Sequence, residues 1–208
     1  AMEANFTNEG GYHYRFRFLK NIMGLWMIQS VRHELNDAYS FAELCRMAET
    51  EKDFPSRVKV NDRAFLAPAS MQEAVREACA AQGAPVPETP GQLAAVIYES
   101  LSDSYAETVR EIETVTGRHF STLYIVGGGS NAAYLNQLTA DKSGLRVYAG
   151  PGEATAIGNM LAQLIAAGRL ANLKEARSCV RESCCIREYS CRRKDNGPAA
   201  PEQPTERK

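Results

Sequence analysis

The chain has 208 residues, 44% hydrophobic and 24% charged, which suits a globular domain with one sizeable core, or one core plus an appendage. A formal net charge of −1 argues against the broad basic footprint of a nucleic-acid binder. No stretch approaches the ~18 apolar residues that a membrane helix needs. Ala1-Met2-Glu3-Ala4-Asn5 lacks the basic and apolar regions of a signal peptide, so a cytoplasmic protein is expected.

Tyr12, Tyr14, Phe16 and Phe18 alternate with His13, Arg15 and Arg17, which predicts a strand. A helix is predicted over residues 19–34, carrying Ile22, Leu25, Trp26 and Met27. Three capping boxes then announce helices: Ser40 with Glu43, Ser70 with Glu73, and Thr89 with Gln92. The third helix has Pro90 at its first position and Gly117 beyond its end. Its residues Leu93, Ile97, Leu101, Tyr105, Val109 and Ile112 recur at steps of three and four, which makes one buried stripe. Residues 54–68 read as an irregular excursion with a short strand around Val58 and Val60.

After Gly117 the period changes. Leu123-Tyr124-Ile125-Val126 is a short apolar strand, followed by Gly127-Gly128-Gly129-Ser130-Asn131, a helix over 132–141 and a second strand over 145–149. This is a βαβ unit, so the strands are expected to be parallel and the crossover right-handed. Two more helices follow, one ending near Gly168 and one over 173–181, with no third strand expected after them. Gly158 and Ala154 in the first of these are expected to permit close helix packing. From Arg192 the chain is Pro-rich and charged with no apolar face, and a disordered tail over 192–208 is expected. The six cysteines have irregular spacing, and His13, His33 and His119 lie away from the C-terminal four, so no metal site is assigned and reduced thiols are expected.

A strand, a glycine turn and a helix N-terminus together form a common nucleotide site, because glycine lets backbone approach the ligand and the helix offers free N–H groups. A Walker A loop requires a lysine after the second glycine, and none stands near Gly129. A dinucleotide fold requires an acid at the end of the next strand, and Val147-Tyr148-Ala149-Gly150 has none. Two alternatives stay open on the turn alone: an adenosine-binding turn of the actin-like and sugar-kinase ATPases, or a tight turn under a packed helix.

The longer strings Leu123–Asn131, Leu135-Asn136-Gln137-Leu138, Ala140-Asp141 and Gly150-Pro151-Gly152-Glu153-Ala154-Thr155-Ala156-Ile157-Gly158-Asn159 closely resemble the adenosine motif of the FGGY carbohydrate kinases. Phe6-Thr7-Asn8-Glu9-Gly10-Gly11 and Phe18-Leu19-Lys20-Asn21-Ile22-Met23-Gly24-Leu25-Trp26 resemble the branch of that family that converts L-rhamnulose to its 1-phosphate. The similarity runs in order over residues 5–189. It implies an α/β, ribonuclease H-like (actin-like ATPase) domain over 1–191, truncated at its N-terminal strands and carrying helical insertions.

The resemblance also implies ATP with Mg2+ carried by the nucleotide, a ketose substrate, and a partner N-terminal kinase domain that holds the catalytic aspartate. No catalytic residue is then expected in this chain, and the chain alone is expected to be inactive. Gln29, Gly127, Gly128, Gly129 and Asn131 are the implied ATP contacts, and Asn21 is the implied sugar contact. If Asn21 and Gln29 share one helix, they lie about 80° apart around it and ~12 Å apart along it. Lys20 is left out as a helix-start charge, and Asp141 is expected to cap or brace the glycine loop. Another FGGY kinase, acting on xylulose, fuculose or ribulose, is an alternative. So is a non-catalytic actin-like nucleotide-binding module.

Overall fold

The structure, a computed structural model, describes residues 6–192; beyond Arg192, the expected disordered tail lies outside the described residues. The chain opens with an antiparallel hairpin of β1 (Thr7–Gly10) and β2 (Phe16–Leu19). Four helices follow: α1 (Trp26–Glu34), α2 (Phe41–Thr50), α3 (Met71–Ala81) and α4 (Pro90–Thr116). Next come β3 (Thr122–Ile125), α5 (Ala133–Ser143) and β4 (Arg146–Ala149). The described chain closes with α6 (Ala154–Ala166), α7 (Leu173–Ser183) and β5 (Arg187–Tyr189).

The centre of the fold is α4. Its start is fixed by a reciprocal box, in which Gln92 N–H donates to Thr89 Oγ1 (3.1 Å) while Gln92 Oε1 accepts from Thr89 N–H (3.4 Å). Its end is set by Gly117 in the left-handed region at φ 64°. The predicted stripe is too narrow for its first half, because every residue over 93–102 is buried. Helices α2 and α5 pack against α4, and α1 packs against α3 and, less extensively, α4. Met27, Ile28, Val31, Leu44, Met71, Val75, Leu93, Ile97 and Leu101 form one core with α4. Each fully buried aliphatic side chain there contributes roughly 1.5–3 kcal/mol.

The Ser40 box is reciprocal as expected, with Ser40 N–H donating to Glu43 Oε2 (2.7 Å) and Glu43 N–H donating to Ser40 Oγ (3.2 Å). The Ser70 box is only half made. Ser70 Oγ accepts from Glu73 N–H, but Glu73 pairs with Arg76. The cap of α3 is completed by Glu34 at the end of α1, which accepts from Met71 N–H, Gln72 N–H and Ser70 Oγ. Burial opposes the charge on Glu34, yet these donors outweigh it and hold the carboxyl below the ordinary glutamate range.

The βαβ unit is present, with β3 parallel to β4 in the register Thr122↔Arg146 to Ile125↔Ala149. The sheet nevertheless has three strands, because β5 adds antiparallel to β4 through Val147↔Tyr189. Arg187-Glu188-Tyr189 has no apolar alternation to announce it; the free edge of β4 supplies the pairing.

Other expectations are corrected. Residues 12–14 form a short 3-10 turn with His13 at φ 56° and Tyr14 at φ 57°, so only Phe16–Leu19 of the aromatic alternation is extended. The first helix begins at Trp26 and not at residue 19, because Gly24 takes φ 63°, which a helix cannot include. Met23 N–H instead donates to Asn61 Oδ1 (3.1 Å), while Ile22, Met23 and Leu25 still pack on the core. No strand forms at Val58 and Val60; both are buried in irregular backbone, and Val58 N–H donates to Ser100 Oγ (2.9 Å). A Cβ on Gly158 would meet open space, so that glycine brings no helix close.

Candidate functional site

Between β3 and α5 the chain makes a 3-10 turn over Gly128–Asn131. Gly127 enters it at φ 75°, a conformation that favours glycine, and its N–H donates to Pro151 O (3.0 Å). Ser130 N–H and Ser130 Oγ both donate to Gly127 O (3.0 and 2.7 Å). These bonds curl the turn so that Gly128 is exposed, with open space where a Cβ would stand. Gly129 faces inward, where a Cβ would lie 3.5 Å from Leu25 Cδ1.

The turn, α1, α2 and α4 meet around a cavity of about 440 Å³, within the roughly 300–1,000 Å³ range of small-molecule sites. Gln29, Gly128 and Asn131 line it, so three of the five expected nucleotide contacts come together. Gly127 and Gly129 shape the backbone without lining the space. Leu25, Ile28, Phe41 and Tyr98 supply apolar walls that the sequence did not announce as site residues. The available signals were Phe41, an aromatic directly after the Ser40 cap, and Tyr98, which lies beside the buried stripe. Two larger grooves, of about 800 Å³ beside β2 and α7 and about 790 Å³ over α3, are more open to solvent and hold none of these residues.

Asn21 is not among the cavity's lining residues. It is exposed in the segment before α1, so the helical spacing expected between it and Gln29 does not exist. Lys20 pairs with Glu111 and lies over the Phe6 ring. Asp141 braces the other end of α5 and not the glycine turn: its Oδ1 accepts from Gln137 Nε2 (3.0 Å) and Arg192 N–H (2.7 Å).

The sequence matches the model of the FGGY family of carbohydrate kinases, C-terminal domain, over residues 1–167. The chain belongs to that family. It is 44% identical over 190 residues to a rhamnulokinase of Bacillus subtilis (strain 168), covering 91% of this chain and 39% of the relative. It is 46% identical over 190 residues to a rhamnulokinase of Ligilactobacillus salivarius, with coverage of 91% and 39%. A rhamnulokinase of Halalkalibacterium halodurans is 45% identical over 189 residues, with coverage of 91% and 40%. The chain thus spans about two fifths of the length of the curated relatives it matches. Among the described residues, no helix is long and apolar enough to cross a membrane.

Behind the cavity, this FGGY segment holds a buried carboxylate. Glu99, 6% exposed, accepts from Tyr134 OH (3.0 Å) and Arg57 Nη2 (3.0 Å) and pairs with Lys142 Nζ (2.7 Å). Asp103 shares Lys142 at 2.7 Å. With two cations and a hydroxyl as partners, the buried charge is compensated. Tyr134 lies in the first turn of α5, its N–H donates to Cys45 Sγ (3.4 Å), and its ring meets that of Tyr98 edge-on at 6.4 Å. Burial, then the neighbouring Glu99, pushes the Tyr134 hydroxyl well above its ordinary pKa, so it stays a donor. Burial first, and Cys45 second, does the same to Tyr98. The cavity's aromatic walls, Phe41 and Tyr98, thus stand on α2 and α4, with Tyr134 of α5 packed against Tyr98.

Proposed function

We propose that this chain is the C-terminal, nucleotide-binding part of a cytoplasmic kinase that transfers the γ-phosphoryl group of ATP to L-rhamnulose, giving the 1-phosphate. The observation that carries the reading is the convergence of Gln29 of α1 with Gly128 and Asn131 of the glycine turn on one apolar-walled cavity. The name shared by the relatives above supports the sugar. The fold is read as a ribonuclease H-like domain over 1–191, completed by strands from the rest of a longer kinase.

In this reading Leu25, Ile28, Phe41 and Tyr98 receive the base, and the uncharged amide of Gln29 offers a donor and an acceptor to its edge. The open space at Gly128 lets the nucleoside lie against backbone, with Asn131 at the polar rim. Gly127 and Gly129 act by setting the turn. Mg2+ arrives with the nucleotide. Asn21, exposed ahead of α1, contributes to the sugar side of a cleft whose other wall holds the proton-accepting aspartate. Phosphoryl transfer depends on positioning and electrostatics from both walls, so this chain alone is inactive.

Calorimetric titration with Mg-ATP and Mg-ADP tests the reading. Weak saturable binding that is lost in Gly128→Val is expected, with phosphorylation of L-rhamnulose in preference to xylulose, fuculose or ribulose only when the remaining kinase segment is supplied. Equal binding by Gly128→Val, or no binding by a chain shown to be folded, overturns the nucleotide placement.

A further inference from the structure

The glycine turn is built from residues that resist ordering. Three successive glycines lose more conformational freedom on folding than any other residues would. The helix that follows offers little help at its start, since the N-cap of α5, Ala132, makes no side-chain capping bond, where a capping residue normally fixes the entry of the chain. Some other group must fix how the turn sits on α5.

Asn136 occupies the place from which this can be done. It lies in the first turn of α5, is fully buried at 0% exposure, and its Nδ2 reaches back to donate to Ser130 O (3.0 Å). Ser130 is itself buried and donates twice to Gly127 O, through its N–H and its hydroxyl. Ala132 N–H donates to Gly129 O (3.1 Å), and Asn136 N–H donates to Ala132 O (2.9 Å). A continuous chain of bonds thus runs from the Asn136 amide to the residue that opens the turn. Asn136 Oδ1 has no hydrogen-bond partner among the described residues. A leucine of the same branched shape would bury no such polar atom. An asparagine is therefore an expensive residue at this position unless its donor is needed.

We infer that Asn136 is a positioning residue: its side-chain amide holds the glycine turn in the shape that leaves Gly128 open to the cavity. The link from turn shape to ligand affinity rests on the nucleotide reading above; the link from Asn136 to turn shape does not.

Hydrogen exchange and calorimetry on the chain, with Asn136→Leu and Asn136→Ala, separate positioning from packing. Both variants lose the amide, but only alanine leaves a void. If Asn136 positions the turn, the Ser130 and Ala132 amides exchange at least about ten-fold faster in both variants, while amides in the first half of α4 keep their protection. Mg-ADP affinity then falls about ten-fold in both, with the melting temperature of the leucine variant near that of the parent. If Asn136→Leu keeps the protection of Ser130 and Ala132, or if the loss simply follows melting temperature across the variants, Asn136 only packs and the inference fails. Should leucine prevent folding, Asn136→Ser, too short to reach Ser130 O, replaces it under the same criteria. Gly128→Val keeps the two claims apart. Unaltered Mg-ADP binding by that variant sinks the nucleotide reading, while the exchange of Ser130 and Ala132 still decides the role of Asn136.

Discussion

Helices α4 and α6 are both rich in apolar residues, yet in the first half of α4 every residue over 93–102 is buried, whereas α6 buries none of its residues. The difference lies in their neighbours. Helices α1, α2 and α5 surround α4, while α6 meets α7 and leaves Met160 54% exposed. An apolar pattern says that a helix is suited to burial, but not which part of a protein covers it. The candidate cavity stands on the buried half of α4, through Tyr98, and so rests on the best-packed part of the chain.

The sharpest way to break this contrast is a pair of truncations. Ile97→Ala is expected to cost about 2–5 kcal/mol in urea denaturation. Leu161→Ala on α6 is expected to cost under about 1 kcal/mol. Equal costs would mean that α6 belongs to the same cooperative core. The next largest effect concerns the layer behind the cavity. Tyr134→Phe removes a hydrogen bond to a buried carboxylate and is expected to cost roughly 1.5–3 kcal/mol. An unchanged midpoint would mean that Glu99 is satisfied by Arg57 and Lys142 alone.

The smallest expected effect is the most specific. Glu34→Gln weakens the cap of α3 and is expected to cost about 1 kcal/mol at pH 7. Because the folded-state pKa of Glu34 is lowered, its contribution is complete above the unfolded-state value and is lost as pH falls through the folded value. Parent and variant should therefore converge in stability on acidification, as read from melting temperatures at a series of pH values. A gap that persists at the acid end would contradict the cap.

Much of this was legible in the residues because the signals were local. The Thr89 and Ser40 boxes, Pro90, Gly117 and the βαβ strands around Gly127-Gly128-Gly129 each state their geometry within a few positions. The start of α1 was not, since the left-handed Gly24 breaks an apolar period that otherwise reads as helix. That break removes Asn21 from the helix that carries Gln29. The half-made Ser70 box was also hidden, because its completing carboxylate, Glu34, is far away in sequence. At the site, Gln29, Gly128 and Asn131 were reached through family resemblance, while Phe41 and Tyr98 join the cavity only once α2 and α4 are packed. Asn136 lies in the Leu135-Asn136-Gln137-Leu138 string, but its bond to Ser130 exists only in the folded turn.

The central claim is that the cavity between α1, α2, α4 and the glycine turn takes the nucleotide. Titration of isotope-labelled chain with Mg-ADP, followed by amide chemical shifts, tests it most directly. Saturable shifts are expected to concentrate at Gly128, Asn131, Gln29, Phe41 and Tyr98, with the grooves over α3 and beside α7 unmoved. Shifts confined to either of those grooves, or none at Gly128 when the nucleotide binds, would contradict it.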